Sequence, residues 1–331
     1  MKAAQFLRML SSALLITLFL GFKAQAYPDK PVTLVVPAPP ASFSDIVGRL
    51  LGEFLSTELG QPIVIENRGG ASGTVAYNHA ARSRPDGYTV LLTNLGPSAV
   101  NPELFKKQGL SYDPIDDFEP ITIFSQTPLV LIVRKESKWD TVEELISDAK
   151  KNPGKISYAT TGPGQLNHLS SAFLNSSAEI ETLHVPYKSG AAAMTDILAG
   201  RVDFMFYPPA NVGGLVSSGE LKALGATGIK RTVALPDVPT LAELGYPQFD
   251  LNAWYGLAVP AGTPHETLTR LRDASRKVAV DPGFISKLHD IGIDDLKEMQ
   301  SLTNDEIQNF HANEIERWSG IVQISGATLD Y

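Results

Sequence analysis

Hydrophobic residues along the chain alternate between short runs and longer stripes, which predicts strands and helices in turn. The short runs are rich in β-branched residues, as buried strands are, and lie at 32–36, 63–65, 89–92, 129–133, 156–159, 181–185, 202–206, 221–225 and 254–259. Stripes with helical spacing predict helices over 45–59, 74–82, 142–151, 191–199, 265–279, 282–291 and 304–325. A further helix is predicted to begin at residue 166. In the first part of the chain this order predicts parallel βαβ units with right-handed crossovers.

Two of the predicted strand-to-helix loops are candidate binding sites. The loop at 37–44 follows the first strand and leads to a helix with Ser42 or Ser44 as its expected N-cap. The loop at 160–165 follows the strand at 156–159 and contains two glycines. Open α/β sheets bind ligands outside the carboxyl ends of their strands, so we expect a site at these two loops.

Composition and charge exclude several classes of protein. The 331 residues are 43% hydrophobic and 19% charged, which suffices for two ordinary folded domains. The lack of cysteine excludes disulfide scaffolds, zinc ribbons and thiol nucleophiles. A formal net charge of −8 argues against nucleic-acid binding, which needs a basic face. An acidic protein can still bind an anion through the N–H groups of helix N-termini.

Residues 1–26 have the pattern of a cleavable secretory signal. Lys2 and Arg8 precede an apolar stretch, and Ala24 and Ala26 supply the small residues that a signal peptidase reads. The apolar stretch is shorter than the roughly 20 residues that cross a bilayer, which disfavours a membrane anchor. We therefore expect export to a periplasm.

Catalytic motifs are largely missing from the sequence. Gly70–Gly73 has the wrong spacing for a nucleophile elbow, and no Walker loop or complete dinucleotide fingerprint is present. The six histidines are scattered, so no metal and no cofactor are expected. We expect a protein without enzymatic activity, and the alternative that remains open is an exported hydrolase with His168 or Asp45 as general base.

An ordered set of motifs resembles one family over residues 27 to about 325. The motifs lie at 27–31, 34–40, 59–62, 66–71, 85–88, 112–114, 184–189, 235–240 and 260–264. In this order and spacing they resemble the Bug-type (TctC-like) periplasmic receptors of tripartite tricarboxylate transporters.

The resemblance implies an α/β fold of the periplasmic-binding-protein type II-like (Venus flytrap) class, with two α/β lobes around a ligand cleft. Lobe 1 would combine residues 27–127 with 248–331, and lobe 2 would be residues 128–247. It further implies a monomer that captures a small organic anion, such as a di- or tricarboxylate or an aromatic carboxylate, and delivers it to membrane permease subunits. A ligand sensor for a signalling partner stays open as an alternative.

The resemblance also implies which residues contact the ligand. They belong to the two loops named above, to the first turns of the helices that follow these loops and to the ends of two later strands, and they are Pro40, Ala41, Ser42, Phe43, Asp45, Thr160, Thr161, Gly162, Gln165, His168, Tyr187 and Tyr207.

Two departures from the family pattern bear on the ligand. Ala41-Ser42 stands where the family usually has two glycines, which restricts the approach of the backbone. Tyr207 stands where an acidic residue is common, which makes an amino-acid ligand less expected. Phe43 and Tyr207 would either stack on an aromatic carboxylate or pack in the wall, and the sequence leaves the identity of the ligand open.

Overall fold

The computed structural model describes residues 27–327, which form ten α-helices and eleven strands in two sheets. The strands are β1 Val32–Val36, β2 Ile63–Asn67, β3 Thr89–Asn94, β4 Phe118–Thr127, β5 Val130–Arg134, β6 Ser157–Thr160, β7 Leu183–Pro186, β8 Phe204–Tyr207, β9 Leu221–Ala226, β10 Ala253–Pro260 and β11 Asp294–Asp295. The helices are α1 Phe43–Leu59, α2 Thr74–Ala81, α3 Asn101–Leu104, α4 Val142–Lys151, α5 Leu166–Ala178, α6 Gly190–Leu198, α7 Pro209–Ser217, α8 His265–Ala279, α9 Pro282–Asp290 and α10 Asn304–Ser325.

The larger sheet has six strands in the order β11-β4-β10-β3-β1-β2. β1 pairs in parallel with β2 and β3, which confirms the predicted βαβ arrangement for these strands. β10 inserts antiparallel between β3 and β4, so the sheet as a whole is mixed.

The smaller sheet has five strands in the order β7-β6-β8-β5-β9. β6 is parallel to β7 and β8, whereas β5 is antiparallel to β8 and β9. Every strand of the larger sheet comes from segments assigned above to lobe 1, and every strand of the smaller sheet from lobe 2, so we keep these names. The lobe boundaries at 127/128 and 247/248 stay a prediction.

The capping signals in the sequence explain where several helices begin. Ser42 is the N-cap of α1, and its Oγ accepts a hydrogen bond from the Asp45 N–H at 3.3 Å. A complete capping box between Thr141 and Glu144 opens α4. Gly60, in the left-handed conformation, ends α1.

A continuous apolar cluster joins the two lobes. It includes Val100 of lobe 1, Phe206 of lobe 2 and Trp318 of α10, all nearly or fully buried. α10 packs both against α3 and the preceding π-helical turn Gly96–Val100 and against α5 of lobe 2. The C-terminal helix thus connects the lobes on one side of the molecule.

None of the helices within 27–327 is long and apolar enough to cross a membrane. The segment 1–26, which we predict to be a signal peptide, lies outside the described residues.

Candidate ligand-binding site

A cavity of about 380 Å³ lies between the two lobes. Lobe 1 supplies most of the lining through residues 37–39, 70, 72–73, 94–97, 100–101, 104 and 253–255, and lobe 2 supplies residues 164–166. The volume falls within the range of about 300–1,000 Å³ that is common for small-molecule sites.

The topology of the larger sheet places the cavity. β1 lies between β2 and β3 in the sheet. The chain therefore runs from β1 to β2 on one side and then crosses to β3 on the other side of β1. This reversal of strand order leaves a crevice outside the carboxyl ends of the strands, where α/β sheets bind ligands. The loops that follow all three strands line the cavity.

Asp45 anchors the loop after β1. Its side chain is buried and accepts hydrogen bonds from Ala41 N (2.8 Å), Asn67 Nδ2 (3.0 Å) and Arg49 Nε (3.0 Å). Burial acts to raise the pKa of Asp45, but these hydrogen bonds outweigh it and the pKa lies below its ordinary value. The carboxylate holds Ala41 in a left-handed conformation, with φ of 62°.

The loop after β2 contains a run of left-handed residues at the cavity wall. Gly70, Ala71, Ser72 and Gly73 all have positive φ. The buried Asn101 fixes this run, because its Nδ2 donates to the Ser72 carbonyl at 3.1 Å. This hydrogen bond stabilises the strained backbone. The Ser72 side chain is exposed and lines the cavity.

Two tyrosine hydroxyls brace the segment after β3. Tyr77 Oη accepts the Asn94 N–H at 3.1 Å and pairs with Ser98 Oγ at 2.6 Å, while Tyr112 Oη donates to the Pro97 carbonyl at 2.7 Å. The Asn94 side chain lines the cavity, and its Oδ1 has no hydrogen-bond partner within 27–327. Because this oxygen is buried and can only accept, the group that Asn94 could offer to an anion is its Nδ2 amide.

The loop after β6 brings lobe 2 to the cavity. Asn167 Oδ1 accepts the Thr161 N–H at 3.3 Å, and its Nδ2 donates to Thr161 Oγ1 at 3.2 Å. Gln165 is the N-cap of α5 without a side-chain capping bond, so its exposed amide is available to a ligand. Gly164 lies against Leu104, since a Cβ on Gly164 would stand 2.8 Å from Leu104 Cδ2. The lobes touch at this point.

Backbone dipoles dominate the electrostatics of the cavity. None of its lining side chains within the described range is charged. The N-terminus of α5 lies at the cavity, which Gly164, Gln165 and Leu166 line, and it has no side-chain cap. The first N–H groups of such a helix lack intrahelical partners and carry partial positive charge. The arrangement is suited to binding an anion through N–H and amide donors, as expected from the sequence.

The structure brings only part of the predicted set to the cavity. Gln165 lines it directly, and Pro40, Ala41, Ser42 and Phe43 continue the chain from the lining residues 37–39. Asp45, Thr160 and His168 are buried, and the Asp45 carboxylate, the Thr160 hydroxyl and His168 Nδ1 are hydrogen-bonded within the protein.

The other four predicted residues lie at the carboxyl ends of three strands of lobe 2. Thr161 and Gly162 follow β6, Tyr187 follows β7 and Tyr207 ends β8. Tyr187 Oη donates to Asp196 Oδ2 at 2.8 Å, and the Tyr207 ring packs over Gly190. None of these four lines the cavity, and their contact with a ligand stays a prediction.

Sequence reasoning missed the lobe 1 residues at 70–73, 94–101 and 253–255. The segment at 94–97 could have been found by the same rule that selected 37–44, since it follows a predicted strand. Tyr255 could not, because β10 reaches the site from a distant part of the chain and its hydroxyl pairs with Ser44 Oγ at 3.2 Å.

No group of three or more acidic or histidine side chains within 27–327 is arranged to hold a metal ion.

Two lobes, an interlobe cavity and a crevice at the carboxyl ends of parallel strands define the class of periplasmic solute-binding proteins. Residues 47–327 match the family model described as the tripartite tricarboxylate transporter family receptor, TctC. The chain belongs to this family of solute-binding receptors, and the prediction from the sequence motifs is confirmed.

Solved structures of similar sequence share the fold. The chain is 33% identical to periplasmic binding protein BugD, with a TM-score of 0.73 over 91% of this chain and 99% of that one. It is 31% identical to Rpa4515 of R. palustris with adipate, with a TM-score of 0.76 over 91% and 99%. It is also 31% identical to MatC of Rhodopseudomonas palustris with bound malate, with a TM-score of 0.73 over 89% and 100%.

Proposed function

We infer that this protein captures a small organic carboxylate in the interlobe cavity and passes it to the membrane subunits of a tripartite tricarboxylate-type transporter in the periplasm. One observation carries the proposal: the uncapped N-terminus of α5 from lobe 2 faces a cavity formed by three strand-end loops of lobe 1 and free of charged side chains. Similar proteins were solved with adipate and with malate, which supports the same chemical class here.

Affinity would come from lobe closure around the anion. Exclusion of water strengthens each N–H and amide hydrogen bond to the carboxylate. Asn94 from lobe 1 and Gln165 from lobe 2 both line the cavity and would bind the same ligand from both lobes. A ligand held in this way draws the lobes together.

Several features argue against chemistry on the bound ligand. Burial and the neighbouring His184 lower the pKa of His168 to about 4, so this imidazole is a weak base at neutral pH. The Asp45 carboxylate is occupied by three hydrogen bonds and lies behind the loop. The two candidates for a hydrolytic general base thus serve the structure, and we propose no enzymatic activity.

Calorimetric titration with adipate, malate and citrate tests the proposal. We expect at least one carboxylate to bind, and we expect Gln165→Ala to weaken that binding by about 1–2 kcal/mol, the range for one charge-assisted hydrogen bond. Gln248→Ala is the matched control, because Gln248 is an exposed glutamine outside the cavity lining. Thr161→Ala should have a similar effect to Gln165→Ala if Thr161 contacts the ligand, with the exposed Thr269→Ala as its control.

Two results would contradict the proposal. If no carboxylate binds while a sugar or an amine does, the ligand class is wrong. If a carboxylate binds and Gln165→Ala leaves the affinity unchanged, the ligand class stands and the assignment of the cavity is wrong. Uptake of labelled ligand into vesicles that contain the permease, with and without this receptor, distinguishes transport from signalling.

A further inference from the structure

Two histidines lie directly behind the loop at 160–165, and of these His168 is buried and His184 is half-buried. His168 is in the first turn of α5 and His184 is in β7, and their rings stack with centroids 4.3 Å apart. Tyr158 of β6 stacks on His184 at 5.0 Å. The centroids of Tyr158 and His168 are 6.5 Å apart, so the three rings form a compact cluster beside the loop that carries Thr161 and Gln165.

Each histidine holds one glycine of this loop. His168 Nδ1 accepts the Gly164 N–H at 3.3 Å. His184 Nε2 lies 2.7 Å from Thr160 Oγ1, and that hydroxyl accepts the Gly162 N–H at 3.2 Å. Both glycines have positive φ and no side chain, so the path of the loop depends on these hydrogen bonds together with those between Asn167 and Thr161.

Counting donors fixes the protonation of both rings. Nδ1 of His168 accepts a hydrogen bond, so this imidazole is neutral and carries its proton on Nε2. Thr160 is fully buried, and among the described residues its hydroxyl hydrogen has only His184 Nε2 as an acceptor. His184 is therefore neutral as well, with its proton on Nδ1.

We propose that His168 and His184 are positioning residues that hold the ligand loop at 160–165 in its binding conformation only while both imidazoles are neutral. The inference rests on the proposed function, because it assumes that this loop contacts the carboxylate. Protonation of His168 Nδ1 would replace an acceptor with a donor facing the Gly164 N–H. Protonation of His184 Nε2 would do the same toward the Thr160 hydroxyl and, through it, release Gly162.

The surroundings disfavour a charge on either ring. Tyr158 of β6 and Phe204 of β8 form the adjacent aromatic walls, and burial raises the pKa of Tyr158 to about 12, so it is neutral. On α10, which packs against α5, Glu314 and Arg317 pair with each other at 2.6 Å and add no net charge. Burial lowers the pKa of both histidines, and the stacked partner lowers that of His168 further.

Two variants separate hydrogen bonding from titration. Asparagine places an amide oxygen near the position of imidazole Nδ1, and glutamine near that of Nε2, so His168→Asn and His184→Gln keep the acceptor and lose the proton site. At pH 7 we expect both variants to bind the carboxylate within about threefold of wild type in calorimetry. We expect His168→Ala and His184→Ala to bind it at least tenfold more weakly than wild type, a loss of about 1.4 kcal/mol. His265→Gln, on the exposed start of α8, is the control.

The pH profile is the readout that a purely structural role would not change. With a pKa of about 4, His168 is mostly protonated only below pH 4. Between pH 7 and 3.5 the dissociation constant of wild type should therefore rise at least threefold more than that of the double variant His168→Asn/His184→Gln. Protonation of the ligand itself affects both proteins equally. Imidazole ¹⁵N shifts of the wild-type protein at pH 7 give an independent check, with His168 expected as the Nε2–H tautomer and His184 as the Nδ1–H tautomer.

The outcomes separate this inference from the proposed function. If wild type binds no carboxylate at pH 7, the proposed function fails. If wild type binds a carboxylate, but the pH profiles coincide or the two tautomers are reversed, the positioning role of the histidines is refuted and the proposed function stands.

Discussion

Replacement of Asp45 by asparagine tests how the loop after β1 is held. The change keeps the volume but replaces one acceptor oxygen with an NH₂ group, which must face either the Asn67 Nδ2 donor or the two donors Ala41 N–H and Arg49 Nε. A hydrogen bond to a buried carboxylate contributes about 1.5–3 kcal/mol, and an unpaired donor costs about 1–3 kcal/mol. The Arg49 side chain is 57% exposed, so its ion pair adds little. We expect Asp45→Asn to lower the free energy of unfolding by about 2–4 kcal/mol.

Urea unfolding at pH 7, with calorimetric binding beside it, measures this effect. Arg49→Met is the control and should change the free energy of unfolding by less than about 0.5 kcal/mol, since it leaves the bonds to Ala41 and Asn67 in place. Because the pKa of Asp45 is depressed in the folded state, its stabilisation is present above its ordinary pKa of 3.8 and is lost as the pH falls through the folded value. The difference between wild type and variant should therefore shrink in strong acid. A loss below 0.5 kcal/mol for Asp45→Asn, or an equal loss for Arg49→Met, would refute the anchoring role.

Three further substitutions test the loops and the core. Ala41→Gly should raise the free energy of unfolding, measured in urea, by up to about 1 kcal/mol. The reason is that relief of a left-handed φ of 62° exceeds the entropy that glycine adds to the unfolded chain. A loss of stability would show that Ala41 is not strained. Gly164→Ala should weaken ligand binding at least tenfold in calorimetry, because its Cβ would stand 2.8 Å from Leu104 Cδ2, whereas Gly109→Ala, with positive φ and no neighbour within 4 Å, should not. Burial lowers the pKa of His311 to about 4. The free energy of unfolding should therefore fall by up to about 3 kcal/mol as the pH decreases from 6.5 to 4. The decrease of the unfolding free energy with pH should be smaller in His311→Gln.

Local sequence patterns predicted most of the strands and helices in this fold. The runs at 32–36 and 254–259 correspond to β1 and β10, and the stripe at 265–279 corresponds to α8. These elements have strong periodicity or continuous burial, so their local pattern agrees with their tertiary environment.

The elements that were missed have patterns that disagree with their environment. β4 contains Pro120, which cannot donate a hydrogen bond to a ladder, and it is accommodated where the pairing with β10 is irregular. α7 contains Gly213 and Gly214, which weaken its helical signal. Its formation depends on packing, with Val212 fully buried against the smaller sheet.

The candidate site was only partly predictable for a related reason. The loops at 37–44 and 160–165 were found because strand ends are visible in the sequence. The function of each residue within them depends on contacts over long sequence separations, such as Asn67 with Asp45 and His184 with Thr160. The sequence placed Asp45 and His168 at the site but could not show that they support the loops from behind.

The C-terminal helix limits how the lobes can move around a ligand. Trp254 of β10 lines the cavity, and its Nε1 donates to Glu314 Oε2 at 2.9 Å. The same oxygen accepts Trp318 Nε1 at 3.1 Å, and α10 also packs against α5, whose N-terminus forms the lobe 2 side of the cavity. Separation of the lobes as independent bodies would expose the apolar cluster that they share, at a cost of about 25 cal/mol per Å² of apolar surface. Closure is therefore expected to bend the two connections at the predicted lobe boundaries, 127/128 and 247/248, while α5 shifts along α10 and the shared core stays closed.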